Sequence, residues 1–196
     1  LNARTFAMAE RAGLPLMTIC STCQGVMSQA NQRLISDPEY LASINEDLKE
    51  EGLEYKGTID PKHLLWIIVE DLGMDFFRSK VVRKLEGLKL APFYGCYIVR
   101  PTDALGFDKN PERETSLEAV IEAVGAEVVD FPGKTLCCGF PILTINPKNS
   151  VKMVANHTID AKDRGADAMV TPCPLCHLNL DGYQPNASSA AKRDID

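Results

Sequence analysis

The sequence predicts an α/β protein, a layered, Rossmann-like parallel sheet with helices on its faces. Three observations predict it. Four short apolar runs of strand length lie at residues 14–19, 88–94, 126–131 and 168–170. Helix start and stop signals fill the intervals between them. A cysteine loop follows each of the four runs. Strands alternating with helices favour parallel pairing, and such sheets place their ligand sites at the carboxyl ends of strands.

Taken in order, residues 1–12 read as the end of a helix closed by Gly13. The run 14–19 is the first strand, and Cys20-Ser21-Thr22-Cys23 follows at once, with a helix expected from about Cys23 to Leu34. Asp37-Pro38 has the chemistry of an N-cap followed by proline in the first helical turn. Leu41, Ile44 and Leu48 supply that helix with an apolar stripe, and Gly52 ends it. Asp60-Pro61 repeats the start signal, Leu64, Leu65, Ile68, Val69 and Leu72 give the next apolar face, and Gly73 stops it. After the strand at 88–94 and a proline-bearing loop, Thr115 and Glu118 have capping-box spacing. Leu117, Val120, Ile121 and Val124 continue as a helix to Gly125. Asn146-Pro147 opens another helix ending at Gly165, and the strand at 168–170 leads into Cys173-Pro174-Leu175-Cys176. Residues 183–196 are small and polar and are expected to be a flexible tail.

Composition narrows the function. The chain has 196 residues, 45% of them hydrophobic, enough for a sizeable core. Its net charge of −6, without a basic block, argues against nucleic acid as a partner. Residues 64–69 are among the longest apolar runs, far short of a transmembrane span. Seven cysteines form two C-x-x-C pairs, one C-C pair and one single. That clustering suits metal-bound thiolates in a reducing, cytoplasmic compartment better than a disulfide framework.

Five of these thiols, Cys96, Cys137, Cys138, Cys173 and Cys176, read as one metal site at the carboxyl ends of the strands. Structural zinc takes four ligands, and adjacent Cys137 and Cys138 diverge too strongly to chelate one ion without strain. A multi-iron cluster accommodates them better, although a cubane takes only four thiolates. Zinc in a structural or docking module stays open as the alternative. Cys173-Pro174-Leu175-Cys176-His177 also fits the C-x-x-C-H haem-attachment pattern, which the grouping of the other cysteines disfavours. His177 is a candidate donor to the sulfurs. His63 and His157 read as surface or core residues, and Trp66 as core. Cys20 and Cys23 are candidates for a further metal position.

The segments ending in Cys20-Ser21-Thr22-Cys23 and Cys173-Pro174-Leu175-Cys176 resemble each other as helix, glycine, strand and C-x-x-C, offset by 153 residues. Carried back by that offset, the counterparts of Cys96, Cys137 and Cys138 fall before Leu1. The sequence is therefore expected to be a piece of a two-repeat protein.

The pattern C-x(40)-C-C-G-x(34)-C-x-x-C resembles the cysteine-rich CCG domain family. That family includes the B subunit of heterodisulfide reductase, the cysteine-rich subunits of some succinate dehydrogenases and thiol:fumarate reductases, and lactate and glycolate oxidase iron-sulfur subunits. Tyr94-Gly95-Cys96 with Arg100-Pro101, Gly106-Phe107-Asp108, Lys134-Thr135-Leu136-Cys137-Cys138-Gly139, and Pro172 through Leu178 carry the resemblance to the heterodisulfide reductase branch, as does Cys20-Ser21-Thr22-Cys23 with Gly25. The resemblance implies a non-cubane [4Fe-4S] centre on Cys96, Cys137, Cys138, Cys173 and Cys176, acting on a disulfide or passing electrons to a quinone-type acceptor. It divides the chain into the remnant of a first CCG repeat with a helical connection (1–87), a complete second repeat (88–182) and the tail. The sequence has no G-x-G-x-x-G nucleotide motif, so electrons would come from a flavin- or ferredoxin-type partner subunit, in a cytoplasmic or peripheral membrane complex.

Overall fold

The structure is a computed structural model and describes residues 1–195. Helix α1 (Asn2–Ala12) ends at Gly13 and leads into strand β1 (Met17–Thr18). Helix α2 (Ser21–Ser36) follows directly, with Cys20 as its N-cap. Helix α3 (Pro38–Leu48) begins as its chemistry requires, the Asp37 carboxylate accepting the Tyr40 N–H at 2.9 Å. A short 3-10 turn carries it to Gly52.

The Asp60-Pro61 signal does not start a helix. Lys62–His63 forms strand β2, which pairs in parallel with β1, Thr18 opposite His63. The pairing takes the residues that would have made the first helical turn. Helix α4 (Leu64–Trp66) therefore starts later, with the His63 Nδ1 accepting the Leu65 N–H as its cap. It continues as a π-helical turn over Ile67–Leu72 and breaks at Gly73 before helix α5 (Met74–Ser79).

Strand β3 (Lys89–Pro92) lies between β4 (Glu127–Val128) and β5 (Ala168–Val170), parallel to both. Helix α6 (Ser116–Ala123) precedes β4, helix α7 (Pro147–Asp163) precedes β5, and helix α8 (Pro174–Gly182) follows it. Helix α9 (Gln184–Ala191) then packs on α7. The flexible tail expected over 183–196 is thus helical across most of its length, because Ala187 is fully buried and Arg193 pairs with Asp163; residue 196 lies outside the described residues.

The parallel α/β reading holds, but not as one continuous sheet. The strands form a two-stranded pair, β1-β2, and a three-stranded sheet ordered β4-β3-β5. β1 finds its partner in a strand the apolar pattern did not mark, so it shares no edge with β3. Successive β3 residues enter different cores. Leu90 packs with Trp66, Ile98 and Ile121, whereas Ala91 packs with Phe131, Val154 and the buried cysteines. A third cluster joins α1, α2 and α3 around Phe6 and Tyr55.

The expected capping box at Thr115 and Glu118 does not form; Thr115 makes no side-chain cap. The buried Tyr94 hydroxyl takes that place from outside the helix. It accepts the Leu117 N–H at 2.8 Å and donates to the Glu118 carboxylate. Glu118 also pairs with Lys134 at 3.0 Å. A local cap has been replaced by one that ties α6 to the end of β3.

Gly25, one turn into α2, sits against the Tyr97 backbone. A Cβ there would come within 2.3 Å of the Tyr97 carbonyl oxygen. Alanine gains up to about 1 kcal/mol in intrinsic helix propensity, but overpacking against backbone costs more, roughly 1–3 kcal/mol. Gly25→Ala is expected to lower the urea unfolding midpoint; a midpoint at or above wild type would show that α2 does not press on the Cys96 loop.

Candidate metal centre

Backbone hydrogen bonds at the end of β3 gather the cysteine loops. Phe93 N–H donates to Val170 O at 2.7 Å, fixing the approach to Cys173. Tyr94 N–H donates to Lys134 O at 2.8 Å, fixing the turn before Cys137. Ser21 Oγ, next to Cys20, donates to Tyr94 O at 3.3 Å. Cys96 lies two residues further on.

Cys96, Cys137, Cys138, Cys173 and Cys176 all line one cavity of about 50 Å3, together with Ser21, Thr22, Tyr97, Phe140, Pro141 and Leu175. The space is several times the roughly 10–15 Å3 that one water needs. Its lining contains no carboxylate, lysine or arginine. Among the described residues, no three His, Cys, Asp or Glu side chains converge tightly enough to clasp a single ion. The thiols surround a volume rather than a point, and no disulfide joins them. Gly95 keeps part of that volume clear. Its φ is +72°, and a Cβ would stand 2.9 Å from Cys176 Sγ. Five thiols around a space larger than one ion fit an iron-sulfur group.

The thiols act on one another. The Cys176 thiol hydrogen-bonds towards Cys138 and Cys173, which pushes its own pKa up and pulls both of theirs down, Cys173 to about 4. Cys173 stands at the N-cap position of α8, where the Cys176 backbone N–H adds to the lowering of its pKa. Burial pushes Cys96 up to about 11, with Cys137 beside it. Gly139 N–H donates to Cys137 Sγ at 3.4 Å.

Cys20 also reaches this site. It is buried, and its sulfur lies 3.9 Å from Cys173 Sγ, so the two cysteines related by the 153-residue offset touch. Both stand at N-caps of helices that follow short strands. Cys23 is exposed. Lys134 pairs with Glu118 and Asp130, and Arg100 donates to Thr135 O, two residues before Cys137.

His177 does not line the thiol cavity. It is exposed and borders two neighbouring cavities instead. The side chains that reach the C-C loop are two that residue-type reasoning passed over. His157 is buried on α7, burial lowers its pKa, and its Nε2 lies 3.0 Å from Cys137 O. The neutral ring therefore donates to that carbonyl. Asn179, fully buried on α8, donates through Nδ2 to Cys138 O at 2.7 Å and to Ser150 Oγ at 3.3 Å. Its place three residues after Cys176 put it on the same helix face, a signal available in the sequence.

The fold and the site define a cysteine-rich α/β domain with five thiols around one cavity. Residues 90–181 match the family described as the cysteine-rich domain, CCG, and the chain belongs to that family through them. The chain is 38% identical over 191 residues to the 8-methylmenaquinol:fumarate reductase membrane anchor subunit of Wolinella succinogenes, covering 97% of this chain and 66% of that protein. It is 33% identical over 186 residues to the B subunit of the ferredoxin/F(420)H(2)-dependent CoB-CoM heterodisulfide reductase of Methanosarcina acetivorans, covering 94% and 61%. These relatives are subunits of oxidoreductase complexes, and the chain spans less than two thirds of either one's length. In fold it is similar to a hypothetical protein from Helicobacter pylori, with a TM-score of 0.72 at 18% identity over 100% of this chain and 34% of that one.

Two outcomes follow for the residues around the site. Asn179→Ala leaves the buried Cys138 carbonyl without its donor and is expected to cost about 1–3 kcal/mol in urea unfolding, whereas His177→Ala is expected to leave stability unchanged. Equal effects of the two would remove the role given to Asn179. His63 is buried, and burial holds its pKa down at about 4 against the usual 6.5. Between those values the unfolded chain binds a proton that the folded chain refuses, so stability present above pH 6.5 is lost as pH falls towards 4. Urea unfolding of His63→Gln is expected to lack that loss, which amounts to roughly 3 kcal/mol over the window; identical pH slopes for the two proteins would contradict it.

Proposed function

We propose that Cys96, Cys137, Cys138, Cys173 and Cys176 hold a non-cubane [4Fe-4S] centre. On this reading the chain is an iron-sulfur electron-transfer or catalytic part of an oxidoreductase complex, resembling the B subunit of heterodisulfide reductase. The observation that carries the reading is one cavity lined by all five thiols and by no carboxylate, lysine or arginine. When bound, such a centre supplies one-electron steps to a disulfide or a quinone-type acceptor.

The chain's own groups serve that chemistry in three ways. Cys173 and Cys138, already drawn towards the thiolate by Cys176, are the ready ligands. Tyr97, Phe140, Pro141 and Leu175 limit water around the sulfurs. The Gly139 N–H directed at Cys137 Sγ offsets negative charge there, and hydrogen bonds to ligand sulfurs of this kind tune reduction potential.

Cys20 and Cys23 serve a second metal position, a cluster or zinc, next to the first through the Cys20–Cys173 contact. A flavin- or ferredoxin-type subunit supplies the electrons, and the complex sits in the cytoplasm or at the cytoplasmic face of a membrane.

Metal and sulfide analysis of anaerobically prepared protein tests the proposal. About four iron and four sulfide per chain are expected at the five-cysteine site. One zinc without sulfide would replace the reading with a structural module. Cys138→Ser is expected to lose most of that iron together with its visible absorption, and full retention of both would contradict the five-ligand assignment.

A further inference from the structure

One polar cavity lies away from the metal centre. It has a volume of about 450 Å3 and opens between α2, the segment 57–61, Trp66 of α4 and the loop 103–113. It shares no lining residue with the thiol cavity. Its size falls within the roughly 300–1,000 Å3 of small-molecule sites.

Hydrogen bonds between elements fix its walls. Gln24 donates through Nε2 to Pro61 O at 2.6 Å, Asn31 through Nδ2 to Ile59 O at 2.7 Å, and Gln32 through Nε2 to Asp103 Oδ2 at 3.1 Å. Arg113 spends its charge on Glu70, at 2.6 and 3.0 Å. Its guanidinium carbon also lies 4.1 Å from the centre of the Trp66 ring, which closes that face to a stacking ligand.

Four lining groups remain uncommitted. Trp66 is 1% exposed, and its Nε1–H has no acceptor among the described residues. A buried donor left unpaired is costly, and an acceptor brought in by a ligand removes that cost. Asn110 donates through Nδ2 to Gly106 O at 2.9 Å, and its Oδ1 accepts from no described residue. Asp60 and Lys109 are exposed, and neither side chain makes a hydrogen bond or ion pair among the described residues. They put one unpaired charge of each sign on the same cavity.

We propose that this cavity binds a free α-amino acid with a carboxamide side chain, of the glutamine or asparagine type. Lys109 meets the carboxylate and Asp60 the ammonium. The side-chain carbonyl accepts from the Trp66 N–H, and the side-chain NH2 donates to Asn110 Oδ1. Charge makes the choice. A net anion would face Asp60 and Asp103, and a net cation would face Lys109. With Arg113 already paired, the interior has no spare charge to offset an ionised side chain, and burying one unpaired is costly. An apolar side chain would leave the Trp66 N–H without its acceptor.

Trp66 is the only tryptophan in the chain, so intrinsic fluorescence reports on this site alone. Titration with free glutamine or asparagine up to about 10 mM is expected to change the emission saturably, with calorimetry giving the same affinity. Glutamate, leucine and glucose are expected to bind at least about tenfold more weakly. Asp60→Asn and Lys109→Met are each expected to weaken glutamine binding about fivefold. Trp66→Phe, read by calorimetry, is expected to weaken it about tenfold. Lys148→Met, on α7 outside the cavity, is expected to leave it unchanged. Far-ultraviolet circular dichroism confirms that each variant is folded. No response to either amide would overturn the proposal. So would glutamate or leucine binding as tightly as glutamine, or a glutamine affinity that none of the three cavity variants alters. None of these results bears on iron and sulfide content, so failure here is separable from failure of the metal-centre reading.

Discussion

The backbone at the end of β3 is the joint on which the site depends. Phe93 and Tyr94 bond to Val170, Lys134 and Ser21, so three cysteine loops are fixed to the segment that carries the fourth. Without those bonds the loops that carry Cys96, Cys137-Cys138 and Cys173 with Cys176 are distant in sequence and have no reason to share a cavity. With them, the sulfurs meet without any covalent link among themselves, which is what a thiolate-ligated group requires and a disulfide framework does not.

That joint also explains why the surrounding side chains are buried and polar. Tyr94 is turned into the core, and its hydroxyl replaces the local cap of α6. His157 and Asn179 satisfy the carbonyls of Cys137 and Cys138, which lie in an irregular loop with no sheet to receive them. A buried loop of this kind leaves backbone acceptors that must be paired by side chains from neighbouring helices. Its rigidity is thus supplied by α7 and α8.

The contact between Cys20 and Cys173 gives the chain's internal resemblance a physical meaning. Both residues follow short strands and begin helices, so the same local design presents a sulfur at the same kind of corner twice. The two corners face each other.

Much of this was legible in the residues. Asp37-Pro38 and Asn146-Pro147 specify helix starts because their capping is local. The grouping of the five cysteines predicted their convergence, and they do line one cavity. The positions that misled were those where a distant partner outcompeted a neighbour. Asp60-Pro61 yields to β2 because β1 claims Lys62 and His63. Thr115 and Glu118 yield to Tyr94 and Lys134. The polar tail becomes α9 because α7 offers it a surface. Sequence alone determined the thiols and the local turns that present them, since both are written in residue type and short spacing. Tertiary structure alone decided which strands pair, which side chains hold the loops and that all five sulfurs open onto one space, because those outcomes depend on contacts between residues far apart in the chain.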